Sequence, residues 1–138
     1  MKVIVSDPIS DDGLKIFYEN NIEVIDATSS IIDKDYEHIP TANAWVIRSG
    51  TNLDAGIISK ADKLAVIGRA GVGIDNIDIS AATRKGVVVM NTPDANTISA
   101  AEHTMALLLS LSRNVSYGHQ SILSGNWDRH KFIGSELR

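Results

Sequence analysis

Two arginines and a glycine-rich segment are the residues of this sequence best suited to hold an anion. Arg48 directly follows the apolar run 44–47, and Arg69 follows the run 64–67 with one glycine between them. A guanidinium can bind carboxylate or phosphate through two parallel hydrogen bonds. If the two runs are parallel strands, both arginines lie at the edge of the sheet where ligands of open α/β sheets bind. The alternative is that each arginine pairs with a surface acid.

The segment "GRAGVGIDNID" (68–78) has three glycines in six positions and resembles a dinucleotide fingerprint only in part. That fingerprint requires G-x-G-x-x-G, and Asn76 replaces its third glycine. Asp75 and Asp78 would also put carboxylates close to a bound pyrophosphate. We therefore assign another role to this segment. Glycine permits positive φ and close approach, so the backbone N–H groups of Val72 and Gly73 are predicted to form an anion-binding nest.

Other residue types that could do chemistry have no suitable partners in the sequence. Glu102 and His103 are adjacent on a predicted helix, so they point about 100° apart and do not share a face. The chain has no cysteine and no G-x-S-x-G, H-E-x-x-H or P-loop motif. We predict no metal site and no catalytic residue within this sequence.

Five short apolar runs define the elements that must position the arginines. They begin near Val3, Ile22, Ala44, Leu64 and Val87, and helix-like segments separate several of them. Four of the runs are apolar on both faces, as in a covered parallel sheet, and the run containing Glu23 suits an edge. The pattern predicts an α/β fold, a flavodoxin-like doubly wound parallel sheet of five strands in the order 2-1-3-4-5.

The character of the sequence changes after the fifth run. "NTPDANT" (91–97) has no periodicity and is predicted to be a linker, and Ser99–Glu102 matches a capping box. A helix of roughly 24 residues is expected over 99–123, with apolar residues in nearly every direction. We therefore predict that this helix packs against a second copy of the chain in a homodimer.

Composition limits the kinds of partner. The 138 residues carry a net charge of −4, which argues against nucleic-acid binding. The longest apolar stretch, 105–111, is far too short to cross a membrane. A soluble, cytoplasmic protein is the expectation.

Three segments carry a resemblance to a known family. These are "VIRSGT", "VIGRAGVGIDNIDISAATRKGVVVMNTPDANTISAAEHTMALLLSLSR" and "GNWDRHKFIGSELR". They resemble the amino-terminal part of the NAD-dependent D-isomer-specific 2-hydroxyacid dehydrogenases. The resemblance extends from about Ala44 to the last residue.

The resemblance implies two domains, a substrate-binding domain over 1–98 and the start of a Rossmann NAD-binding domain over 99–138. It implies that the G-x-G-x-x-G and the catalytic arginine, glutamate and histidine follow Arg138, so this chain alone is expected to be inactive. The substrate would be a small phosphorylated 2-hydroxy acid and the cofactor NAD. The implied substrate-binding residues are Arg48, Ser49, Arg69, Val72, Gly73 and Asn96, and the implied cofactor-binding residues are Val72 and Thr104.

Within this resemblance, Arg69 would favour the substrate phosphate and the loop at Val72 and Gly73 would bind its carboxylate. Three alternatives stay open: a dehydrogenase of the same family for an unphosphorylated acid, a stand-alone anion-binding module, and a signalling receiver of the same strand order. A receiver requires an aspartate after the third strand, where this chain has Arg48.

Overall fold

The computed structural model describes residues 1–137 and consists of two compact units, Met1–Ala95 and the residues from Asn96 onward. The boundary lies before Asn96, whereas the predicted domain boundary follows Ile98. No helix within the described residues is both long and apolar enough to cross a membrane.

The first unit is a five-stranded parallel sheet with helices on both faces. The strand order is β2-β1-β3-β4-β5, which confirms the predicted flavodoxin-like, doubly wound order and the edge position of the strand with Glu23. The elements are β1 (Lys2–Val5), α1 (Asp11–Glu19), β2 (Glu23–Asp26), β3 (Ala44–Ile47), α2 (Ala55–Lys60), β4 (Val66–Arg69), α3 (Ile79–Lys85) and β5 (Val88–Asn91).

Short polar residues begin the three helices of this unit. Ser10, Asp54 and Asp78 each accept a hydrogen bond from the backbone N–H three residues later. These caps satisfy N–H groups that the first helical turn leaves without a partner. Asp78 therefore serves α3 and not a ligand. Gly86 ends α3 with a φ of 74°, a left-handed conformation that glycine adopts without strain.

The sheet has a well-packed core on one face. Trp45, Ile47 and Ile67 have no solvent exposure and pack with Ile57 and Ala82 of α2 and α3. On the opposite face α1 covers β1 through a smaller cluster around Val3, Val5 and Ala44.

The fifth strand departs from the prediction that it is covered on both faces. Val88 and Met90 are 57% and 59% exposed. A Cβ added to Gly68, which pairs with Met90, would meet no atom within 4 Å. Within unit 1 the sheet face at β4 and β5 is therefore open, because α1 lies over the other end of the sheet.

The second unit contains two helices where the sequence predicts one. α4 spans Thr97–Ser112 and α5 spans Val115–Leu123. The predicted single helix over 99–123 is wrong, because Asn114 has a φ of 54° and interrupts it. The predicted capping box is also wrong, since Asn96 precedes the helix and Ser99 lies within its first turn.

Candidate functional site

The site lies at the carboxyl edge of the sheet, where the segments after β1, β3, β4 and β5 meet. Arg48 follows β3 directly, and Arg69 is the last residue of β4. The two strands are adjacent and parallel, so their carboxyl ends share one edge. The structure thus places Arg48, Ser49, Arg69, Val72 and Gly73 at this edge, and their roles toward a substrate stay predictions.

The carboxylate of Asp7 holds the segment that carries Arg48. Its Oδ2 accepts hydrogen bonds from the N–H groups of Arg48 at 2.7 Å and Thr51 at 3.1 Å. Asp7 is only 7% exposed, so these bonds offset the desolvation of its charge. A Cβ on Gly50 would collide with the same carboxylate, which explains the glycine. Asp7 is therefore a structural acid.

Asn76 joins the two arginine segments through its side-chain amide. Its Oδ1 accepts from Nε of Arg69 at 3.1 Å, and its Nδ2 donates to the carbonyls of Arg48 and Thr51, both at 2.6 Å. Its own carbonyl accepts from the N–H of Leu53 at 2.9 Å. The residue that breaks the dinucleotide fingerprint thus fixes the direction of the Arg69 side chain.

Neither guanidinium is neutralised by a carboxylate within residues 1–137. The ion pairs of the described residues involve lysines and one histidine. Among the described residues the Arg48 guanidinium donates one hydrogen bond, from Nη1 to the carbonyl of Pro8 at 3.4 Å, and the Arg69 guanidinium donates from Nε to the neutral Asn76. The alternative in which both arginines pair with surface acids is therefore wrong, and both charges face the site.

The glycine loop packs against Arg69 by close approach and not by unusual backbone angles. Gly86 and Gly125 are the described glycines with positive φ, so the predicted use of positive φ at the loop is wrong. A Cβ on Gly71 would instead collide with the guanidinium of Arg69, and one on Gly73 would lie 2.8 Å from Oδ1 of Asp75. A side chain at position 71 would therefore require the Arg69 guanidinium to move, and one at position 73 would require Asp75 to move.

Two cavities form a trough beside these residues. One of about 260 Å³ is lined by Arg69 and by Gly68 of the open sheet face, and one of about 610 Å³ is lined by Arg48. They share Val46, Ala70 and Thr92, so they adjoin. The combined trough lies over the open sheet face and is large enough for a small molecule, and Val72 and Gly73 lie outside its lining.

Two of the predicted site residues belong to the second unit. Asn96 precedes α4, and Thr104 lies on α4 with its hydroxyl donating to the carbonyl of Ala100 at 2.7 Å. Their roles toward substrate and cofactor stay predictions. Sequence reasoning missed Asn76 and Asn91, the second of which donates from Nδ2 to the carbonyl of Val72 at 2.7 Å. Asn76 could have been found as an amide side chain close to the glycine loop in the sequence, whereas no local signal connects Asn91 with that loop.

With this fold and site, residues 3–134 match the family model described as the catalytic domain of D-isomer specific 2-hydroxyacid dehydrogenases. The chain belongs to this family. Within the family, the chain is similar to two relatives named D-3-phosphoglycerate dehydrogenase. They come from Methanocaldococcus jannaschii and Archaeoglobus fulgidus and are 48% and 46% identical over 99% and 100% of this chain.

The chain is also similar to a solved structure of a protein with that name. The NAD⁺-bound 3-phosphoglycerate dehydrogenase of Entamoeba histolytica is 33% identical, with a TM-score of 0.69 over 82% of this chain and 39% of that protein. The chain spans about a quarter of the length of the two archaeal relatives, 26% in each case.

Proposed function

We propose that this chain is the substrate-recognition part of a D-3-phosphoglycerate dehydrogenase. The observation that carries the proposal is the pairing of two unneutralised guanidinium groups with a glycine loop at one edge of the sheet. Phosphate on Arg69 and carboxylate on the amides of Val72 and Gly73 would satisfy both parts of the site. The reaction of the whole enzyme would be oxidation of 3-phospho-D-glycerate to 3-phosphohydroxypyruvate, the first step of serine biosynthesis.

NAD would accept the hydride in that reaction, and two residues of this chain are suited to its nicotinamide end. Val72 is 40% exposed and offers an apolar side chain beside the anion site, which fits a flat ring. The Thr104 hydroxyl donates to Ala100 and keeps an oxygen lone pair that can accept. The sequence itself contains no complete G-x-G-x-x-G. We therefore expect the 138-residue chain alone to form no NADH from 3-phosphoglycerate.

Binding of the acid tests the proposal directly. A titration with 3-phosphoglycerate, followed by ¹H–¹⁵N NMR, should shift the amides of residues 48–50 and 68–76 at millimolar ligand. Affinity is expected to be weak because the cavities beside Arg48 and Arg69 are open to solvent. Shifts confined to other residues would contradict the site.

Alanine substitutions of Arg69 and of Arg84 distinguish binding of the phosphate at the site from a general effect of removing one positive charge. Arg69→Ala should weaken 3-phosphoglycerate on the order of tenfold, the loss of a charged hydrogen bond, and should affect glycerate much less. Arg84→Ala, an exposed arginine on α3, removes the same charge away from the site and should change neither affinity. If Arg69→Ala lowers the affinity for 3-phosphoglycerate and for glycerate by the same factor, the result would favour the alternative, a dehydrogenase for an unphosphorylated acid.

A homodimer through the second unit is part of the same proposal. The apolar residues of α4 are exposed over several directions, which is more apolar surface than a monomer usually leaves in water; they include Met105 (53%), Leu107 (57%), Leu108 (43%), Leu109 (49%) and Leu111 (78%). A two-fold contact between two copies would cover them. A cytoplasmic location stays a prediction from the sequence.

A further inference from the structure

The N–H groups of the glycine loop must have a fixed direction before they can bind a carboxylate together. Within residues 1–137 the N–H groups of Val72 and Gly73 donate to no backbone or side-chain acceptor. Free donors on an exposed loop can turn toward solvent in many directions unless something fixes their peptide planes. The question is which residues fix them.

The end of β5 holds both peptide planes from one side. Nδ2 of Asn91 donates to the carbonyl of Val72 at 2.7 Å, and the N–H of Thr92 donates to the carbonyl of Gly71 at 3.0 Å. In a trans peptide the C=O and the following N–H point in opposite directions. The carbonyls therefore point toward β5, and the N–H groups of Val72 and Gly73 point away from it.

We propose that Asn91 is a positioning residue for the carboxylate of the substrate, acting through the Val72–Gly73 peptide. The proposal rests on the proposed function for the identity of the ligand. Asn91 also lines the cavity beside Arg69, but its side-chain Nδ2 is engaged with the loop, so its effect on the carboxylate passes through the Val72–Gly73 peptide. Donors held in their binding direction lose less entropy on binding and therefore bind more tightly. Thr92 contributes through its backbone, so Asn91 is the contact that a substitution can remove.

The variant that tests this is Asn91→Leu, which keeps the approximate size of the side chain and removes the donor. We expect affinity for 3-phosphoglycerate to fall about three- to tenfold, the range of one neutral hydrogen bond. Affinity for glycerol 3-phosphate, which lacks the carboxylate, should fall by a clearly smaller factor, and an equal fall for both ligands would contradict the positioning role. Asn91 is exposed, so the melting temperature should stay near that of the parent.

A charged pair of variants provides the matched control. Asn91→Asp places a carboxylate against the Val72 carbonyl and should weaken 3-phosphoglycerate at least as much as leucine does. Asn52→Asp adds the same charge at the same edge of the sheet, where Asn52 is exposed and follows the Arg48 segment. If both aspartates weaken binding equally, the effect is electrostatic repulsion and the proposal is wrong.

A measurement without ligand separates this inference from the proposed function. In the free chain, Asn91→Leu should broaden or shift the amide resonances of Val72 and Gly73 and leave those of Ile67 and Ala82 unchanged. Unchanged loop resonances would overturn the positioning role even if 3-phosphoglycerate binds. If the parent chain binds neither phosphate, the proposed function fails, while altered loop resonances would still support the positioning of the amides.

Discussion

The two units of this chain differ in what their apolar side chains contact. In residues 1–95, large residues such as Trp45, Ile47 and Ile67 have no solvent exposure. In α4 and α5 no residue is buried, and Leu111 is 78% exposed. The first unit therefore has a core of its own and can hold a rigid site. The second unit has helices whose apolar surface is available for another partner.

The largest expected effect of this difference is in amide hydrogen exchange. Strand amides of β1, β3 and β4 should exchange only through global unfolding, whereas α4 and α5 should open locally. A gap of several kcal/mol corresponds to a protection ratio on the order of 10³ or more. The measurement is NMR-detected exchange at a concentration where light scattering reports a monomer. Equal protection of the amides in both units would contradict the claim that only the first unit has a core of its own.

The two tryptophans give the next largest contrast, because each unit contains one. Trp45 is fully buried and donates from Nε1 to Oγ of Ser6 at 2.9 Å, while Trp127 is 76% exposed. Trp45→Ala should lower the free energy of unfolding by about 3–5 kcal/mol. Trp127→Ala should change it by about 0.5 kcal/mol or less. Urea denaturation of both variants checks this, and similar losses would show that the second unit is also packed.

Self-association tests whether the exposed apolar residues of the second unit contact a second copy of the chain. A leucine covered on dimerisation contributes about 1.5–3 kcal/mol, so Leu109→Glu should raise the dimer dissociation constant by at least tenfold. Ile31→Glu makes a similar change at an 87%-exposed site of the first unit and should not alter association. Analytical ultracentrifugation distinguishes the two. A parent chain that is monomeric at high concentration would contradict the proposed dimer.

The smallest expected effect is the pH dependence of stability that comes from the exposed Asp35–Lys60 ion pair of the first unit. The hydrogen bond and charge of Lys60, 2.7 Å from Asp35, hold the pKa of that carboxyl below its usual value. A lowered folded-state pKa stabilises the protein above the ordinary pKa of aspartate, and this contribution is lost as pH falls through the lowered pKa. Asp35→Asn should thus lower the melting temperature slightly at neutral pH and less in acid.

High salt should reduce that difference, because the pair is exposed and screened. Asp62→Asn is the control: it removes an exposed acid close to α2 that forms no ion pair among residues 1–137, and it should leave the melting temperature at neutral pH nearly unchanged. If Asp35→Asn lowers the melting temperature by the same amount at every pH, the stabilisation does not come from the charge of Asp35.

The sequence was sufficient for the sheet because its strands are short apolar runs with clear breaks. It was also sufficient to place both arginines, since strand ends in a parallel sheet share one edge. It was insufficient for Asn76 and Asn91, whose hydrogen bonds join residues distant in sequence, such as Asn91 and Val72. Composition of a loop does not determine which carbonyls its amides meet.

The break between α4 and α5 was missed for a related reason. No proline or glycine marks it, and asparagine is among the residues that tolerate a left-handed φ. The break is held by a later segment: the N–H of Ser135 donates to the carbonyl of Ser112 at 2.8 Å, and Nδ2 of Asn114 donates to that of Ile133 at 3.3 Å. Periodicity reports local preference and does not report such distant contacts.

The close approach of Arg69 to Gly71 has a consequence for how this sequence can change. The guanidinium occupies the place that any side chain at position 71 would need. We expect Gly71→Ala to disturb the loop when Arg69 is present and to be tolerated once Arg69 is alanine, a coupling that a double-mutant cycle measures. Substitution at the two positions would then follow a fixed order. Loss of Arg69 first would make a side chain at position 71 acceptable, whereas loss of Gly71 first would give a protein with a disturbed loop.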